Sequence, residues 1–322
     1  MKVLITGSDG YIGSCLYKFL KKKSNFKLFC LDKKIKEESR TKYKIDLTKK
    51  NKINKLLSSL KPDLVVHLAG QSTVDGIKNK SIYVKNNILA TKNLLTSMKK
   101  NNIKNIIFSS TAAVYKHSKK ILKENSTLLP NNIYGKTKLK CEKLILGSSL
   151  NFIILRFFNV SSSIIALNVG EKHSPETHLI PICVHKAIVK KKIKIYGKNF
   201  KTFDGTCVRD YFHIIDLCSA IKSSIELLKK NNKIKKILNL GNGRGFSIIE
   251  IINRLKFLVG PVEFLFAKKR KGDIGSLVCD NSNAKTFLKW QPKFSNLKKI
   301  IKDEFLWQKN LRKINYKRQF IY

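Results

Sequence analysis

Short apolar runs alternate with longer helical patterns along the first half of the chain, and this alternation limits the possible folds more than any other feature. Five runs of five or six residues predict buried strands: KVLIT at 2–6, KLFCL at 27–31, LVVHLA at 64–69, NIIFS at 105–109 and FIILR at 152–156. Helical patterns lie between them, at 12–23, 48–60, 80–100 and 132–149. Buried parallel strands are continuously apolar, and alternation with helices indicates right-handed βαβ crossovers. The pattern therefore predicts an α/β fold with a doubly wound parallel sheet.

The pattern becomes less regular after Asn159. We expect, in chain order, a loop, a helix, a hairpin-like stretch, a helix and a strand, at about 161–177, 180–191, 193–200, 214–230 and 236–240. The length of 322 residues agrees with about two domains. We predict a sheet domain at 1–160 and a smaller mixed C-terminal domain at 161–322, with part of 204–240 packing back on the first.

Three glycines follow the first strand directly and open the first helix. Gly7 allows a tight turn, Gly10 lets the backbone approach a pyrophosphate, and Gly13 permits close contact between helix and strand. The helix N-terminus then offers N–H groups to the phosphates. Asp32 follows the second strand, where a carboxylate accepts hydrogen bonds from a ribose 2′-hydroxyl and repels a 2′-phosphate. This indicates a Rossmann-type site for NAD rather than NADP, although Lys33 and Lys34 weaken that preference.

A tyrosine and a lysine stand four residues apart in YGKTK at 134–138, at the start of a predicted helix. At that spacing Lys138 shares a face with the Tyr134 phenol. A neighbouring cation, together with an oxidised nicotinamide, lowers a phenol's pKa toward the working pH and makes it a general base. The preceding strand ends in Ser109-Ser110-Thr111, whose hydroxyls are placed to hydrogen-bond a substrate oxygen.

The chain carries 66 Lys and Arg against 21 Asp and Glu, a formal net charge of +45. Such a charge is typical of proteins that bind nucleic acids or membrane surfaces. Here it is spread along the whole length, is mostly Lys, and accompanies no nucleic-acid-binding motif. We attribute it to compositional bias at exposed positions and predict no specific nucleic-acid partner. The charge is still expected to attract anionic substrates.

Cysteine spacing and hydropathy bear on the compartment. The seven cysteines are scattered, with no C-x-x-C pair, as is typical of buried thiols in a reducing environment. No apolar stretch of about 18 residues is present. We therefore predict a cytoplasmic protein with no membrane partner.

Motifs along most of the chain resemble the extended short-chain dehydrogenases/reductases, and within them the UDP-glucose 4-epimerases. General motifs are GSDGYIGS (7–14), HLAG (67–70), NNILAT (86–91), FSSTAAVY (108–115), YGKTK (134–138) and LRFFNV (155–160). More specific ones are GEKHSPETHLIP (170–181), DGTCVRDYFHIIDL (204–217), NLGNGRGFS (239–247) and RKGD (270–273). The resemblance implies an isomerase with bound NAD, a UDP-hexose substrate, a substrate-binding C-terminal domain and a homodimer.

The resemblance also assigns roles to residues. The catalytic set is Thr111, Tyr134 and Lys138. Cofactor contacts are expected at Gly7, Gly10, Tyr11, Ile12, Gly13, Asp32, Asp46, Leu47, Leu68, Ala69, Gly70, Asn87, Ser109, Tyr134, Lys138 and Phe158. Substrate contacts are expected at Thr111, Asn159, His178, Leu179, Ile195, Tyr196, Arg209, Arg270 and Asp273. Arginine suits bidentate contacts to a diphosphate, and Asp273 suits a ribose hydroxyl.

Two alanines distinguish epimerisation from elimination of water as the reaction of such a chain. Related 4,6-dehydratases carry acidic residues directly after the catalytic hydroxyl, where this chain has Ala112 and Ala113. Without an acid or base there, elimination of water is disfavoured, so we predict interconversion of UDP-glucose and UDP-galactose through a 4-keto intermediate. Leu277 lies where relatives differ in tolerance of N-acetylated sugars and leaves a UDP-N-acetylhexosamine 4-epimerase open as an alternative. A second alternative is a decayed, non-catalytic protein that binds polyanions.

Lesser features receive structural interpretations. Glu171, His173, Glu176 and His178 crowd one loop, but their spacing fits no helix-borne metal site and the resembling family uses no metal, so no metal ligand is predicted. His67 and His213 are expected to be hydrogen-bonded histidines at strand ends.

Overall fold

The computed structural model describes residues 1–72, 79–231, 233–270 and 272–313. Its strands are β1 (Lys2–Thr6), β2 (Lys27–Leu31), β3 (Lys42–Tyr43), β4 (Leu64–His67), β5 (Asn105–Thr111), β6 (Asn151–Phe157), β7 (Asn159–Ser161), β8 (Ser163–Ile164), β9 (Val169–Gly170), β10 (Ile193–Tyr196), β11 (Val208–Arg209), β12 (Tyr211–His213), β13 (Lys235–Leu240), β14 (Phe246–Ser247), β15 (Phe264–Ala267) and β16 (Ser276–Leu277). Its helices are α1 (Tyr11–Lys23), α2 (Lys50–Leu60), α3 (Ser81–Tyr83), α4 (Ala90–Lys100), α5 (Ile133–Leu146), α6 (Leu179–Ile188), α7 (Ile214–Lys230), α8 (Ile248–Val259), α9 (Ser282–Leu288) and α10 (Leu297–Lys313). A π-helical turn (Val84–Leu89) joins α3 to α4, so the predicted helix at 80–100 has three parts.

Seven strands form the central sheet in the order β13-β6-β5-β4-β1-β2-β3. Every neighbouring pair is parallel. The chain starts inside the sheet, at β1, moves to the nearer edge through β2 and β3, and then to the other edge through β4, β5, β6 and β13. The predicted doubly wound parallel sheet is confirmed.

Apolar side chains on both faces of the sheet explain why its strands read as continuous apolar runs. On β1, Val3 and Ile5 pack on one face, where α1, α7 and α9 cover the sheet. Leu4, between them in sequence, packs on the other face under α2, α4 and α5. Successive strand residues point to opposite faces, so a sheet covered by helices on both sides needs apolar residues at both.

A second apolar core lies in the C-terminal half of the chain. It joins α6, α8 and α10 with β10 through residues such as Val184, Ile195, Ile252 and Ile301. Small sheets accompany it: β14-β11-β16, β10-β15, β12-β7 and β8-β9. Both parallel and antiparallel pairs occur among them, as expected for a mixed unit. β13 lies outside this unit, because it pairs with β6 at the edge of the central sheet.

The hairpin-like stretch predicted at 193–200 is wrong. Its strand, β10, ends at Tyr196 and pairs in parallel with β15, about seventy residues later in the chain. Gly197 turns the chain with φ 83°, but the chain does not return along β10. The loop predicted at 161–177 also contains the short antiparallel pair β8-β9. None of the helices in the described part of the chain is long and apolar enough to span a membrane.

Candidate active site

The turn between β1 and α1 has a shape that only glycine permits at two positions. Gly7 has φ 73°, and a Cβ there would lie 2.6 Å from the Ala69 backbone nitrogen. A Cβ on Gly13 would lie 2.1 Å from the Gly7 carbonyl oxygen. Gly10 caps α1 without a side chain, so the first N–H groups of the helix are left uncovered. These N–H groups and the bare backbone form the cradle that a dinucleotide pyrophosphate requires.

Asp32 lies directly after β2, beside this turn. Its Oδ2 accepts from the Asp9 backbone nitrogen at 3.2 Å, and its Oδ1 accepts from the Lys34 nitrogen at 2.9 Å. These bonds hold the carboxylate at the edge of the cavity. Burial and the charge of Asp32 together raise the pKa of Asp9. The residues present therefore fit an adenosine ribose with a free 2′-hydroxyl.

Tyr134, Lys138 and Thr111 come together where β5 ends and α5 begins. Asn132 caps α5, its Oδ1 accepting from the Gly135 nitrogen at 2.7 Å, which fixes the first turn of the helix. The Tyr134 phenol lies near enough to the Thr111 hydroxyl for that hydroxyl to lower its pKa, and both side chains line the same cavity. Lys138, 4% exposed, places its Nζ 4.4 Å from the centroid of the Phe108 ring. The predicted catalytic set is thus assembled in one place.

Burial controls the ionisation of this set. It raises the pKa of Tyr134 to about 12, against the lowering effect of the nearby Thr111 hydroxyl. It lowers the pKa of Lys138 to about 8, since the ammonium also loses water. Desolvation therefore dominates the pKa of both groups, and positive charge beside the phenol is needed to make Tyr134 a base near neutral pH.

A cavity of about 1040 Å³ connects the glycine turn with the catalytic set and the C-terminal half. This exceeds the usual range of about 300–1,000 Å³ for a single ligand. Predicted cofactor residues that line it are Gly7, Gly10, Tyr11, Ile12, Gly13, Asp32, Asp46, Leu47, Leu68, Ala69, Gly70, Ser109, Tyr134, Lys138 and Phe158. Predicted substrate residues that line it are Thr111, Asn159, His178, Leu179, Tyr196, Arg209, Arg270 and Asp273.

Two predicted site residues, Asn87 and Ile195, are not among those lining the cavity. Asn87 lies in the π-helical turn, where its Oδ1 accepts from the Gln71 nitrogen at 2.7 Å and its Nδ2 donates to Thr137 Oγ1 at 2.9 Å. Thr137 in turn donates to the Tyr134 carbonyl at 2.8 Å. Asn87 therefore ties the segment after β4 to the catalytic helix. Ile195 is fully buried in the second core.

At the far end of the cavity, charged groups are already paired. Arg270 Nε lies 2.9 Å from Asp273 Oδ2, and its guanidinium lies 4.9 Å from the Tyr196 ring centroid. Arg209 Nη1 donates to the Val208 carbonyl at 2.9 Å. These contacts hold two arginines in position to bind an anionic ligand.

Motif matching missed a buried network behind the catalytic residues. Glu142 accepts from Ser110 Oγ and forms a two-pronged ion pair with Arg156, at 3.0 Å to Nε and 2.7 Å to Nη2. Arg156 also donates to the Tyr115 hydroxyl at 2.9 Å. Glu142 follows Lys138 by four residues, the same spacing that separates Tyr134 from Lys138. This helical spacing is the signal in the sequence that points to Glu142.

The histidines at strand ends are hydrogen-bonded, as predicted. His67 lies between Thr6 Oγ1 at 2.8 Å and Thr91 Oγ1 at 3.0 Å. His213 lies 3.2 Å from Asp303 Oδ2 and accepts from the Ile215 nitrogen. Both are structural residues in this fold.

A doubly wound sheet with a glycine cradle and a Tyr-x-x-x-Lys pair defines the class of nucleotide-cofactor-dependent short-chain enzymes. The chain belongs to the NAD dependent epimerase/dehydratase family, whose model matches residues 3–241. This confirms the predicted family and, at the family level, NAD as the cofactor.

Individual relatives are more specific. The chain is 34% identical to a UDP-glucose 4-epimerase of Halalkalibacterium halodurans, with 96% of each chain covered. It superimposes with a TM-score of 0.90 on the UDP-glucose 4-epimerase of Stenotrophomonas maltophila, solved with NAD and formylated UDP-arabinopyranose, at 28% identity over 98% of this chain and 99% of that one. A UDP-Glc/GlcNAc 4-epimerase of Campylobacter jejuni gives a TM-score of 0.81 at 32% identity, over 96% of this chain and 99% of the other.

Proposed function

We propose that this chain interconverts UDP-glucose and UDP-galactose through a 4-keto sugar, with bound NAD and Tyr134 as the base. The observation that carries the proposal is the placement of Tyr134, Thr111 and Lys138 in one cavity with the glycine turn and two arginines. The family, and relatives named UDP-glucose 4-epimerase, support the substrate class.

NAD would supply the hydride acceptor, and then the hydride donor, for C4 of the sugar. Gly7, Gly10 and the start of α1 would hold its pyrophosphate, and Asp32 would accept from a ribose hydroxyl. The turn described above, where neighbouring backbone leaves no room for a Cβ at Gly7 or Gly13, fits that role.

Tyr134 takes the proton of the sugar 4-hydroxyl and returns it after the sugar has turned in the cavity. Thr111 lies beside the phenol in the cavity and is placed to orient the same hydroxyl. Since burial alone raises the pKa of Tyr134 to about 12, positive charge from Lys138 and from the oxidised cofactor is required to favour the phenolate. General-base catalysis of this kind contributes about 10²–10⁴-fold.

Ala112 and Ala113 favour epimerisation over elimination. They form the 3₁₀ turn directly after Thr111, whose Oγ1 accepts from the Ala113 nitrogen at 3.2 Å. A methyl group at these positions neither donates nor accepts a proton. The 4-keto sugar therefore meets no group here that assists loss of water.

Arg209, Arg270 and Asp273 would hold the UDP part of the substrate. Guanidinium groups bind phosphate oxygens in two-pronged fashion, and a carboxylate accepts from ribose hydroxyls. The ion pair between Arg270 and Asp273 keeps both side chains at the cavity wall. A homodimer and a cytoplasmic location remain predictions, as does the division into domains 1–160 and 161–322.

The second candidate, a UDP-N-acetylhexosamine 4-epimerase, is supported by the similarity to the Campylobacter jejuni enzyme. Leu277 packs with Phe158 and Tyr115 in a small apolar cluster and is not among the residues that line the cavity. It presents no aromatic ring that would exclude an N-acetyl group.

Purified protein should be denatured, assayed for released NAD, and tested with UDP-galactose and UDP-N-acetylgalactosamine. We expect about one NAD per chain, with UDP-galactose converted to UDP-glucose faster than the acetylated sugar is converted. Equal or faster conversion of the acetylated sugar would favour the second candidate. Absence of both NAD and turnover, together with tight RNA binding, would favour the decayed polyanion-binding protein.

A further inference from the structure

Four side chains of one loop converge beside the cavity, and we call them the Glu171–His178 cluster: Glu171, His173, Glu176 and His178. Each offers one ligand atom, and these atoms all lie within 4.8 Å of one another. The Nδ1 atoms of His173 and His178 both lie 2.6 Å from Glu171 Oε1. His178 Nδ1 lies 3.3 Å from Glu176 Oε1.

Two carboxylates of this cluster are buried, and Glu176 Oε1 accepts from the backbone nitrogens of Thr177 and His178 at 2.8 and 2.7 Å. Glu171 and Glu176 are 0% exposed. Both imidazoles meet the same oxygen of Glu171, and its other oxygen, Oε2, has no hydrogen-bond partner among the described residues. A buried carboxylate oxygen without a partner is destabilising, and a bound cation is one way to satisfy it. Glu171 therefore has unused capacity as a ligand.

The two histidines give an ion a route to the buried oxygens. Their side chains are 40% and 50% exposed, and both residues line the cavity. Trp307 Nε1 donates to the Glu171 carbonyl at 2.7 Å, which anchors the start of the loop to α10. A cation that enters along the cavity meets a donor set that is already gathered and held.

The donor set points to one class of ion. First-row transition metals bind imidazole nitrogen and carboxylate oxygen at about 2.0–2.2 Å, so their ligands lie about 3.3–4.4 Å apart. Small side-chain adjustments bring the cluster into that range. Mg²⁺ and Ca²⁺ prefer all-oxygen sites, whereas two imidazoles favour Zn²⁺, Co²⁺ or Ni²⁺.

We infer that the Glu171–His178 cluster binds one divalent transition-metal ion, of the zinc and cobalt type, and that the ion fixes the loop preceding α6 at the wall of the cavity. Spacing along the chain predicted no metal here, because metal sites borne on helices use residues one turn apart. The structure shows that an extended loop brings the four ligands together instead. The ion has no part in the proposed proton transfer. His178 is also a predicted substrate contact, so the test below measures metal binding directly and does not rely on turnover.

The test uses the full chain, stripped with EDTA, dialysed free of chelator and titrated with Co²⁺. We expect the visible absorption of four-coordinate Co²⁺ to saturate at one equivalent per chain, with a dissociation constant of about 1 µM or lower. Zn²⁺ should displace the Co²⁺, and Mg²⁺ should not. The seven cysteines are all buried, so thiolates of the folded protein do not compete.

A matched pair of variants locates the site. His173→Gln should abolish the absorption band while far-ultraviolet circular dichroism stays unchanged. His117→Gln removes an exposed histidine elsewhere and should keep the band. A band of equal strength in His173→Gln, or no saturable band in the parent protein, would overturn the inference.

A second measurement does not depend on any variant folding. The protein has 6 histidines, whose ring signals are separable by NMR after selective labelling. One equivalent of paramagnetic Co²⁺ should broaden the ring signals of His173 and His178 most strongly. Preferential broadening of the other histidines would place the ion elsewhere and contradict the inference.

Discussion

Tyr134 and Lys138 show how a single residue's surroundings set its chemistry. Burial raises the pKa of the phenol to about 12 and lowers that of the ammonium to about 8. Both shifts disfavour charge, so the two side chains alone do not form a phenolate–ammonium pair near neutral pH. We therefore expect Tyr134 to act as a base only when a positively charged cofactor is seated, which restricts proton removal to the loaded site.

The buried ring of His67 leads to a prediction about stability at acid pH. Burial lowers its pKa from 6.5 to about 3, so the folded protein keeps the ring neutral while the unfolded chain protonates it. Below about pH 6.5 the unfolded state binds more protons, and stability falls as the pH falls toward 3. Between about pH 6.5 and pH 3, protonation of His67 in the unfolded chain should lower the free energy of unfolding by about 1.4 kcal/mol per pH unit.

Urea unfolding of His67→Gln between about pH 6.5 and pH 4.5 checks this, because the variant should show a flatter decline whatever its absolute stability. The control His117→Gln alters an exposed ring and should leave the slope of the parent protein unchanged. An unchanged slope in His67→Gln would mean that other groups cause the acid sensitivity.

At the scale of elements, the position of α5 depends on one close approach. A Cβ on Gly135 would lie 2.2 Å from the Ala113 carbonyl oxygen, so α5 packs directly on the turn after Thr111. Gly135→Ala should push the first turn of α5 away and separate Tyr134 from Thr111. We expect kcat to fall on the order of 10²-fold, with a stability loss of about 1–3 kcal/mol.

Gly147→Ala is the matched control, since a Cβ at the other end of α5 would lie 3.5 Å from its nearest neighbour, an ordinary contact. Its kcat and stability should stay close to those of the parent protein. Measuring kcat and the melting temperature of both variants tests whether the close approach at Gly135 positions Tyr134. Equal activities would show that the close approach at Gly135 does not position Tyr134.

The elements that the sequence predicted well are those with local causes. Apolar runs predict the central strands because burial on both faces makes them continuously apolar, and a helical pattern at 132–149 predicts α5. The error at 193–200 has a non-local cause: β10 pairs with β15, and no local pattern specifies a partner so distant. The same limit applies to the site, where motifs located Tyr134 and Lys138 but not the convergence of Glu171 with His178.

At the scale of the whole molecule, the net charge of +45 has a measurable consequence. A positively charged protein attracts a UDP-sugar over long range, and salt screens that attraction. Raising NaCl from about 10 mM to about 300 mM should lower kcat/KM for UDP-galactose roughly tenfold while kcat at saturating substrate changes little. A flat kcat/KM would show that the charge plays no part in substrate capture.

The most direct test of the central claim is the turnover of Tyr134→Phe with UDP-galactose, measured on protein that still carries NAD. Removal of one hydroxyl keeps the ring and the fold but leaves no group to take the sugar proton. We predict that kcat falls by about 10²–10⁴-fold with NAD content unchanged, whereas Tyr17→Phe on α1, outside the cavity lining, keeps the parent rate. Near-normal turnover by Tyr134→Phe would contradict the account.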